Sequence, residues 1–270
     1  MPTLYIIATP IGNLEDISLR AIRILKEVKL IATEDTRKTR RLLNTYKIKT
    51  PMTSYYEHNK LTKLAHIMEQ LAFKDVALVS EAGMPGISDP GYELMASAIK
   101  HGIQVVAVPG ASALTTAIAV SGLPTDHFLF MGFLPPRANA RRRLLKEISA
   151  EKSTIIIYEA PHRLIASLTD ILNTLGNRHI AVCRELTKLH EEVFRGTISD
   201  AISHFTKPRG EFTLVISGAV DKKEQKTADI ELEVSKMRRS GKTAREAMSI
   251  LANQTGLSRK ELYRIWIKQK

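Results

Sequence analysis

Cysteine is almost missing from this chain: Cys183 is the only one in 270 residues, so no internal disulfide can form. A lone thiol suits a reducing compartment, and a cytoplasmic protein is expected. No apolar stretch approaches the roughly 18 residues a membrane span needs. The longest candidate, Ala113 to Val120, is short and contains Thr115 and Thr116. The start has no basic segment, and Pro10 and Gly12 interrupt its apolar run, so it does not read as a signal peptide. No G-x-G-x-x-G or G-x-S-x-G is present, which argues against a dinucleotide fold and a serine nucleophile elbow. Ser240-Gly241-Lys242-Thr243 ends like a P-loop, but Lys236 stands where the first glycine must be. His190-Glu191-Glu192 lacks a second histidine, since position 194 is Phe, and the eight histidines are scattered. No metal is expected.

What is present is an ordinary globular composition, 44% hydrophobic and 25% charged. At ~150 residues per domain the length favours about two domains. Lys and Arg number 40 against 28 Asp and Glu, a net charge of +12. Such an excess points to a polyanionic partner, with solubility alone as the plain alternative. Half of it lies in residues 221–270, which carry 13 Lys/Arg and 7 Asp/Glu.

Short apolar runs alternate with amphipathic segments. Leu4 to Ala8, Leu30 to Ala32, Val76 to Val79 and Val105 to Val108 read as strands. Ser18 to Val28, Thr36 to Tyr46, Asn59 to Ala72 and Tyr92 to Lys100 read as helices. This is an α/β unit with a largely parallel sheet. Gly122-Leu123-Pro124 marks a boundary near residue 120. A second α/β unit follows over 121–221, with strands at Phe128 to Phe133, Thr154 to Tyr158, Ile180 to Cys183, Glu192 to Gly196 and Phe212 to Ser217. Its helices fall near Arg137 to Ile148, Arg163 to Leu175 and Ser199 to Phe205. After a charged run, residues 222–270 form a basic helical extension. Thr243 with Glu246, and Ser258 with Glu261, fit capping boxes for helices over 244–254 and 259–268, joined through Gly256. The pair reads equally as a helix-turn-helix or as a helical cap.

Four loops follow strands and are crowded with Gly, Pro and small residues: Pro10 to Asn13, Glu81 to Gly91, Pro109 to Ala113 and Tyr158 to Arg163. Open α/β sheets bind ligands beyond the carboxyl ends of their strands, and small residues let the backbone approach. The segments ATPIGNLEDIS (8–18), ATEDTRKTRRLL (32–43), SEAGMPGISDPG (80–91), VPGASALTTAIAVSGLP (108–124), FLPPR (133–137), YEAPHRL (158–164), CREL-TK (183–188) and GEFTLVI (210–216) occur in order over about residues 3–220. Together they resemble the tetrapyrrole-methylase superfamily, and within it the branch that methylates small-subunit ribosomal RNA. Glu81 and Met84 depart from the usual SDAGTP loop.

The resemblance implies two α/β domains with S-adenosylmethionine in the cleft between them, a homodimer, and methylation of a 2′-hydroxyl on a decoding-site cytidine of 16S rRNA. It places cofactor contacts at Ile11, Gly12, Glu81, Ala82, Gly83, Met84, Ile87, Ser112, Ala113 and Glu159. A ribose hydroxyl is a weak nucleophile, so a base would help; Glu159, Glu185, Glu34 and Asp89 are the carboxylates in family motifs. Two arginine-rich clusters are candidate RNA contacts: Arg37, Lys38, Arg40 and Arg41, then Arg137, Arg141, Arg142, Arg143 and Lys146, with Arg163 nearby. Phe133 and Tyr158 read as core residues in preference to base-stacking platforms, and Cys183 as a buried apolar one. A tetrapyrrole carbon methyltransferase keeps the same loops and is the alternative acceptor class. A non-enzymatic nucleic-acid binder would leave the four loops unexplained.

Overall fold

A computed structural model describes residues 2–56, 59–219, 233–240, 242–255 and 259–268. Residues up to Gly218 form one compact unit and those from Ala219 another. The first unit holds two five-stranded sheets. β1 (Thr3–Ile7), β2 (Leu30–Thr33), β3 (Met52–Ser54), β4 (Val76–Val79) and β5 (Gln104–Val108) run in the order β3-β2-β4-β1-β5, all parallel. Helices α1 (Leu19–Glu27), α2 (Thr36–Thr45), α3 (Lys60–Leu71) and α4 (Tyr92–Lys100) connect them.

The strands alternate side chains between two cores, as a period of two requires. Ile7, Ile31, Ala77 and Val79 meet Ala21, Leu25 and Leu43 on one face. Leu4, Ile6, Ala32, Val76 and Leu78 meet Ile67, Leu71 and Leu94 on the other. Near-continuous apolar strands are what a sheet covered on both faces demands. Local chemistry sets where helices begin. Ser18 accepts the Ala21 N–H at 3.1 Å to start α1. Asp35 accepts the N–H groups of Arg37 and Lys38, at 2.7 and 3.3 Å, to start α2.

The second sheet is β6 (Phe128–Phe133), β7 (Thr154–Glu159), β8 (His179–Arg184), β9 (Glu192–Thr197) and β10 (Phe212–Ile216), in the order β6-β7-β10-β8-β9. Only β6 and β7 are parallel; the other three pairings are antiparallel. The alternation expected from sequence is there, and this second sheet, unlike the first, is mixed. The chain from β8 to β9 turns back through a few loop residues, and β10 slots between β7 and β8. Helices α6 (Ala138–Glu147), α7 (Leu164–Leu175) and α8 (Ile198–His204) cover one face around Ile155, Ile157, Val182 and Leu214. The other face receives α5 (Ala113–Ser121), whose Ala117 and Ile118 pack on Ile156, Ala181, Cys183 and Val215. Thus α5 follows the first sheet in sequence but packs on the second. All but its last residue, Ser121, lies in the 1–120 segment expected for the first domain, while by packing the change of partner falls at residues 109–112. Cys183 is buried there, as read from sequence.

In the second unit, residues 233–239 form α9, followed by α10 (Ala244–Thr255) and α11 (Arg259–Lys268). Val234, Ala247, Met248, Leu251 and Leu262 make its small core. Arg238 lies over the Trp266 ring, 4.8 Å from its centroid. The Thr243–Glu246 capping box is formed, with the Thr243 N–H on Glu246 at 2.9 Å and the Glu246 N–H on Thr243 at 3.4 Å. Gly256 and Ser258 lie outside the described residues, so the turn and the second capping box do too. No helix among the described residues is long and apolar enough to cross a membrane.

Candidate active site

The carboxyl ends of β1, β2, β4 and β5 face those of β6 and β7 and the start of β10 across a cavity of about 380 Å³. The first sheet's wall contributes Ile11, Glu34, Glu81, Ala82, Gly83, Met84, Ile87, Ser88 and Asp89, with Ser112 and Ala113 at the start of α5. The opposite wall contributes Phe133, Tyr158, Glu159, Ala160, Pro161, Glu211, Phe212 and Thr213.

Backbone geometry builds the first wall. Gly83 exchanges two hydrogen bonds with Thr9, at 2.9 and 3.0 Å, tying the loop after β4 to the loop after β1. Its φ of +83° is a conformation that glycine adopts without strain. Space is not what selects it: a Cβ there would make only ordinary contact, 3.5 Å from Ile11 Cγ2. The Ser80 hydroxyl donates to the Gly83 carbonyl at 3.1 Å. Ser88 takes a φ of +61° without being glycine, which costs about 1–2 kcal/mol and is typical of ligand loops.

Cofactor positions read from sequence therefore converge on this cavity, with one exception. Gly12 does not line it. A Cβ on Gly12 would strike the Lys188 side chain and lie 2.8 Å from the Thr187 hydroxyl. This glycine is there for the close passage of the loop after β8.

The four candidate carboxylates divide into two kinds. Glu159 is buried, and its oxygens accept from the Ala160 N–H at 2.8 Å, Arg163 Nε at 2.8 Å and the Ser167 hydroxyl at 2.5 Å. Glu185 does not line the cavity. It binds Lys188 at 2.8 Å and accepts the Glu211 N–H at 2.9 Å. Burial pushes its carboxyl up, but Lys188 and the Glu211 N–H outweigh that and hold it below the usual range. Both are held in ion pairs, Glu159 with Arg163 and Glu185 with Lys188.

Glu34 and Asp89 line the cavity, and neither forms an ion pair among the described residues. Burial, then the charge of Glu34, pushes Asp89 up to about 6, against the pull of the Ser80 hydroxyl. Burial followed by Glu81 raises Glu34 as well. Glu81 is paired with Lys38 at the rim.

The cavity lining contains Glu34, Glu81, Asp89, Glu159 and Glu211, and no Lys, Arg or His among the described residues. A chain of net charge +12 thus encloses an acidic pocket. Its basic residues are outside. Arg37, Arg40 and Arg41 are exposed along α2, and Arg137, Arg143 and Lys146 on or beside α6. Arg141 corrects the reading from sequence. It is 5% exposed, its guanidinium held by Asp170 at 2.5 and 2.8 Å. It shares the inward face of α6 with Leu145, four residues on. Arg142 is exposed but also bonds Asp170, at 2.7 Å. Arg163 is turned inward onto Glu159 and the Leu134 carbonyl.

Several lining residues had no assignment from sequence, Ser88, Ala160, Pro161, Glu211, Phe212 and Thr213, and two more, Phe133 and Tyr158, had been read as core. Phe133 is 54% exposed rather than core. The GEFTLVI segment was visible as a motif, but its proximity to the loop after β4 arises only when the two sheets face each other. No group of three or more metal-ligating side chains occurs among the described residues.

Residues 3–202 match the family model for tetrapyrrole (corrin/porphyrin) methylases. Curated relatives named ribosomal RNA small subunit methyltransferase I include one from Halalkalibacterium halodurans, 47% identical over 98% of this chain and 94% of its own. Another, from Synechocystis, is 46% identical over 98% and 97%. A third, from Thermotoga maritima, is 53% identical over 81% of this chain and 99% of its own. Among solved structures, the uroporphyrin III C-methyltransferase of Thermus thermophilus superimposes with a TM-score of 0.58, at 16% identity, covering 80% of this chain and 97% of its own. A cobalt precorrin-4 methyltransferase does so with the same score at 18% identity, covering 80% and 94%. These two share the fold.

Proposed function

The chain belongs to the tetrapyrrole methylase family and, within it, to the ribosomal RNA small subunit methyltransferase I group, and from that premise we propose that it methylates the 2′-hydroxyl of a decoding-site cytidine in 16S rRNA. Its coarser activity is methylation of small-subunit ribosomal RNA from S-adenosylmethionine. One observation carries the reading: an acidic cavity without a basic lining residue, set in a strongly basic chain. The inside suits a cation, and the outside suits a polyanion.

S-adenosylmethionine, when bound, supplies a methyl group on a sulfonium that departs as a neutral thioether. The residues present fit that molecule. Ile11, Ala82, Gly83, Met84, Ile87, Ser112 and Ala113 offer backbone groups and apolar contact. Glu34 and Asp89, unpaired among the described residues, offer negative charge to a sulfonium and an ammonium. No acid is needed for the leaving group, so alignment supplies much of the rate. Asp89, ionised above about pH 6, takes the proton from the attacking hydroxyl, with Glu34 keeping its field negative. Outside, Arg37, Arg40, Arg41, Arg137, Arg143 and Lys146 hold phosphates.

Two further assignments belong to this proposal. The extension beyond Gly218 is an accessory RNA contact, since a relative of the same name matches over 99% of its length while covering 81% of this chain. A homodimer is supported by the open apolar flank of α4, where Tyr92 is 73% and Ile99 65% exposed.

The test is methyl transfer from labelled S-adenosylmethionine to small ribosomal subunits lacking the modification. Nucleosides are then identified by mass spectrometry. Label on the ribose of one cytidine is expected. Label on a base, or on a tetrapyrrole precursor and not on the subunit, would overturn the proposal.

A further inference from the structure

We propose that Phe133 is the platform on which the acceptor nucleobase stacks while its ribose enters the cleft, an assignment that rests on the RNA reading of the site. The geometry begins with a break in β6. Phe128, Leu129 and Phe130 pair in step with Thr154, Ile155 and Ile156 of β7, but Phe133 pairs with Tyr158. Three steps along β6 therefore match two along β7, which is a β-bulge. Gly132 supports it with a φ of +62°.

The bulge decides which way Phe133 faces. Met131 and Leu134 both pack on the core under α6 and α7, although they are three residues apart. Strict alternation would place Phe133 on that same side with Met131. The extra residue turns Phe133 to the cavity side instead, beside Phe130 and Tyr158. Bulges next to active sites re-aim side chains in this way.

The result is a phenyl ring at the cavity mouth, 54% exposed. It is anchored edge-on against Tyr158, with centroids 5.6 Å apart and planes at 60°. Tyr158 is itself held by Phe130 at 5.0 Å. Gly132 passes so close to the Ser88 hydroxyl that a Cβ there would lie 2.9 Å from it. The ring thus stands where the two walls meet. The deeper lining, Gly83, Met84 and Ser112 among it, is at least half-buried and suits an enclosed small ligand. A ring at the rim meets whatever enters after it. Every nucleobase has a face that an aromatic side chain can cover. Exposed Arg137, four residues on, is placed to hold the adjoining phosphate.

The experiment compares Phe133→Ala, Phe133→Leu and Phe133→Tyr with the unsubstituted enzyme. The readouts are steady-state transfer to unmodified small subunits, calorimetric S-adenosylmethionine binding, and melting temperature. Alanine and leucine are expected to lower kcat/KM by about 5- to 100-fold, mainly through KM, while tyrosine restores it. Cofactor affinity and melting temperature should not move. Full activity in Phe133→Leu would overturn the stacking role, because an apolar side chain would then suffice. Cofactor affinity falling in step with kcat/KM would overturn it too, assigning the ring to the cofactor pocket. Absence of transfer by the unsubstituted enzyme would show before any variant was compared, and would overturn the RNA reading together with the platform.

Discussion

The two walls of the cleft carry similar numbers of acidic residues but use them differently. On the first sheet's wall, Glu34 and Asp89 form no ion pair among the described residues; burial and then Glu81 push Glu34 up, and burial and then Glu34 push Asp89 up. On the second sheet's wall, Glu159 is consumed by Arg163, Ser167 and a backbone N–H. Beyond that wall Glu185 is consumed by Lys188. An ion pair that satisfies a buried carboxylate also disarms it. Unsatisfied charge costs stability, and a protein keeps it where a ligand or a reaction uses it. We therefore propose the first wall as the chemical one. The second is a scaffold that presents the aromatic residues Phe133 and Tyr158.

The largest effect on folding should come from the scaffold side. Replacing Glu159 with Ala strands the Arg163 guanidinium and the Ser167 hydroxyl, and should cost about 3–5 kcal/mol in urea unfolding. Arg141→Ala, which strands buried Asp170, should cost about as much, whereas exposed Arg142→Ala should cost about 1 kcal/mol or less. Equal losses for Arg141 and Arg142 would contradict the division of α6 into an inward and an outward face. A smaller effect concerns cofactor charge. Calorimetry should find S-adenosylmethionine preferred over neutral S-adenosylhomocysteine at neutral pH. That preference should fall several-fold as the pH drops through about 6, where Asp89 takes a proton. A preference independent of pH would remove Asp89 from the cation's surroundings. Smallest is Thr243→Ala, which removes the α10 capping box and should cost about 1 kcal/mol. Circular dichroism should show this as lost helix in the extension, with the unit up to Gly218 unaffected.

Much of this fold was legible because periodicity reports burial. Strands such as Val76–Val79 and helices such as Leu19–Glu27 stand out from their apolar spacing alone. What escaped was short or unpatterned. β3 has three half-buried residues, and α5 mixes Ala, Thr and Ser with Leu114, Ile118 and Val120 without a clear polar face. The mixed order of the second sheet also escaped, because pairing partners lie far apart in sequence. At the site, the loops were legible from Gly and Pro, but the fate of each charge was not. Three consecutive arginines, Arg141, Arg142 and Arg143, look alike until α7 places Asp170 beside the first two. Glu159 and Asp89 are both motif carboxylates, and only the partner at hydrogen-bond distance separates them. Phe133 was hidden by the bulge, which inverts the facing that simple alternation assigns.

The most direct test of the division between the walls is Asp89→Asn, followed by single-turnover methyl transfer and thermal unfolding on the same preparation. Burial raises Asp89 above its unfolded value of about 3.8, so its contribution to stability is fully present below pH 4 and is lost as the pH rises through about 6. The asparagine variant should therefore melt no lower than the wild type at neutral pH. Its transfer rate should fall by about 100-fold or more. Transfer within twofold of wild type, or a melting temperature well below it, would contradict the assignment of chemistry to the first wall.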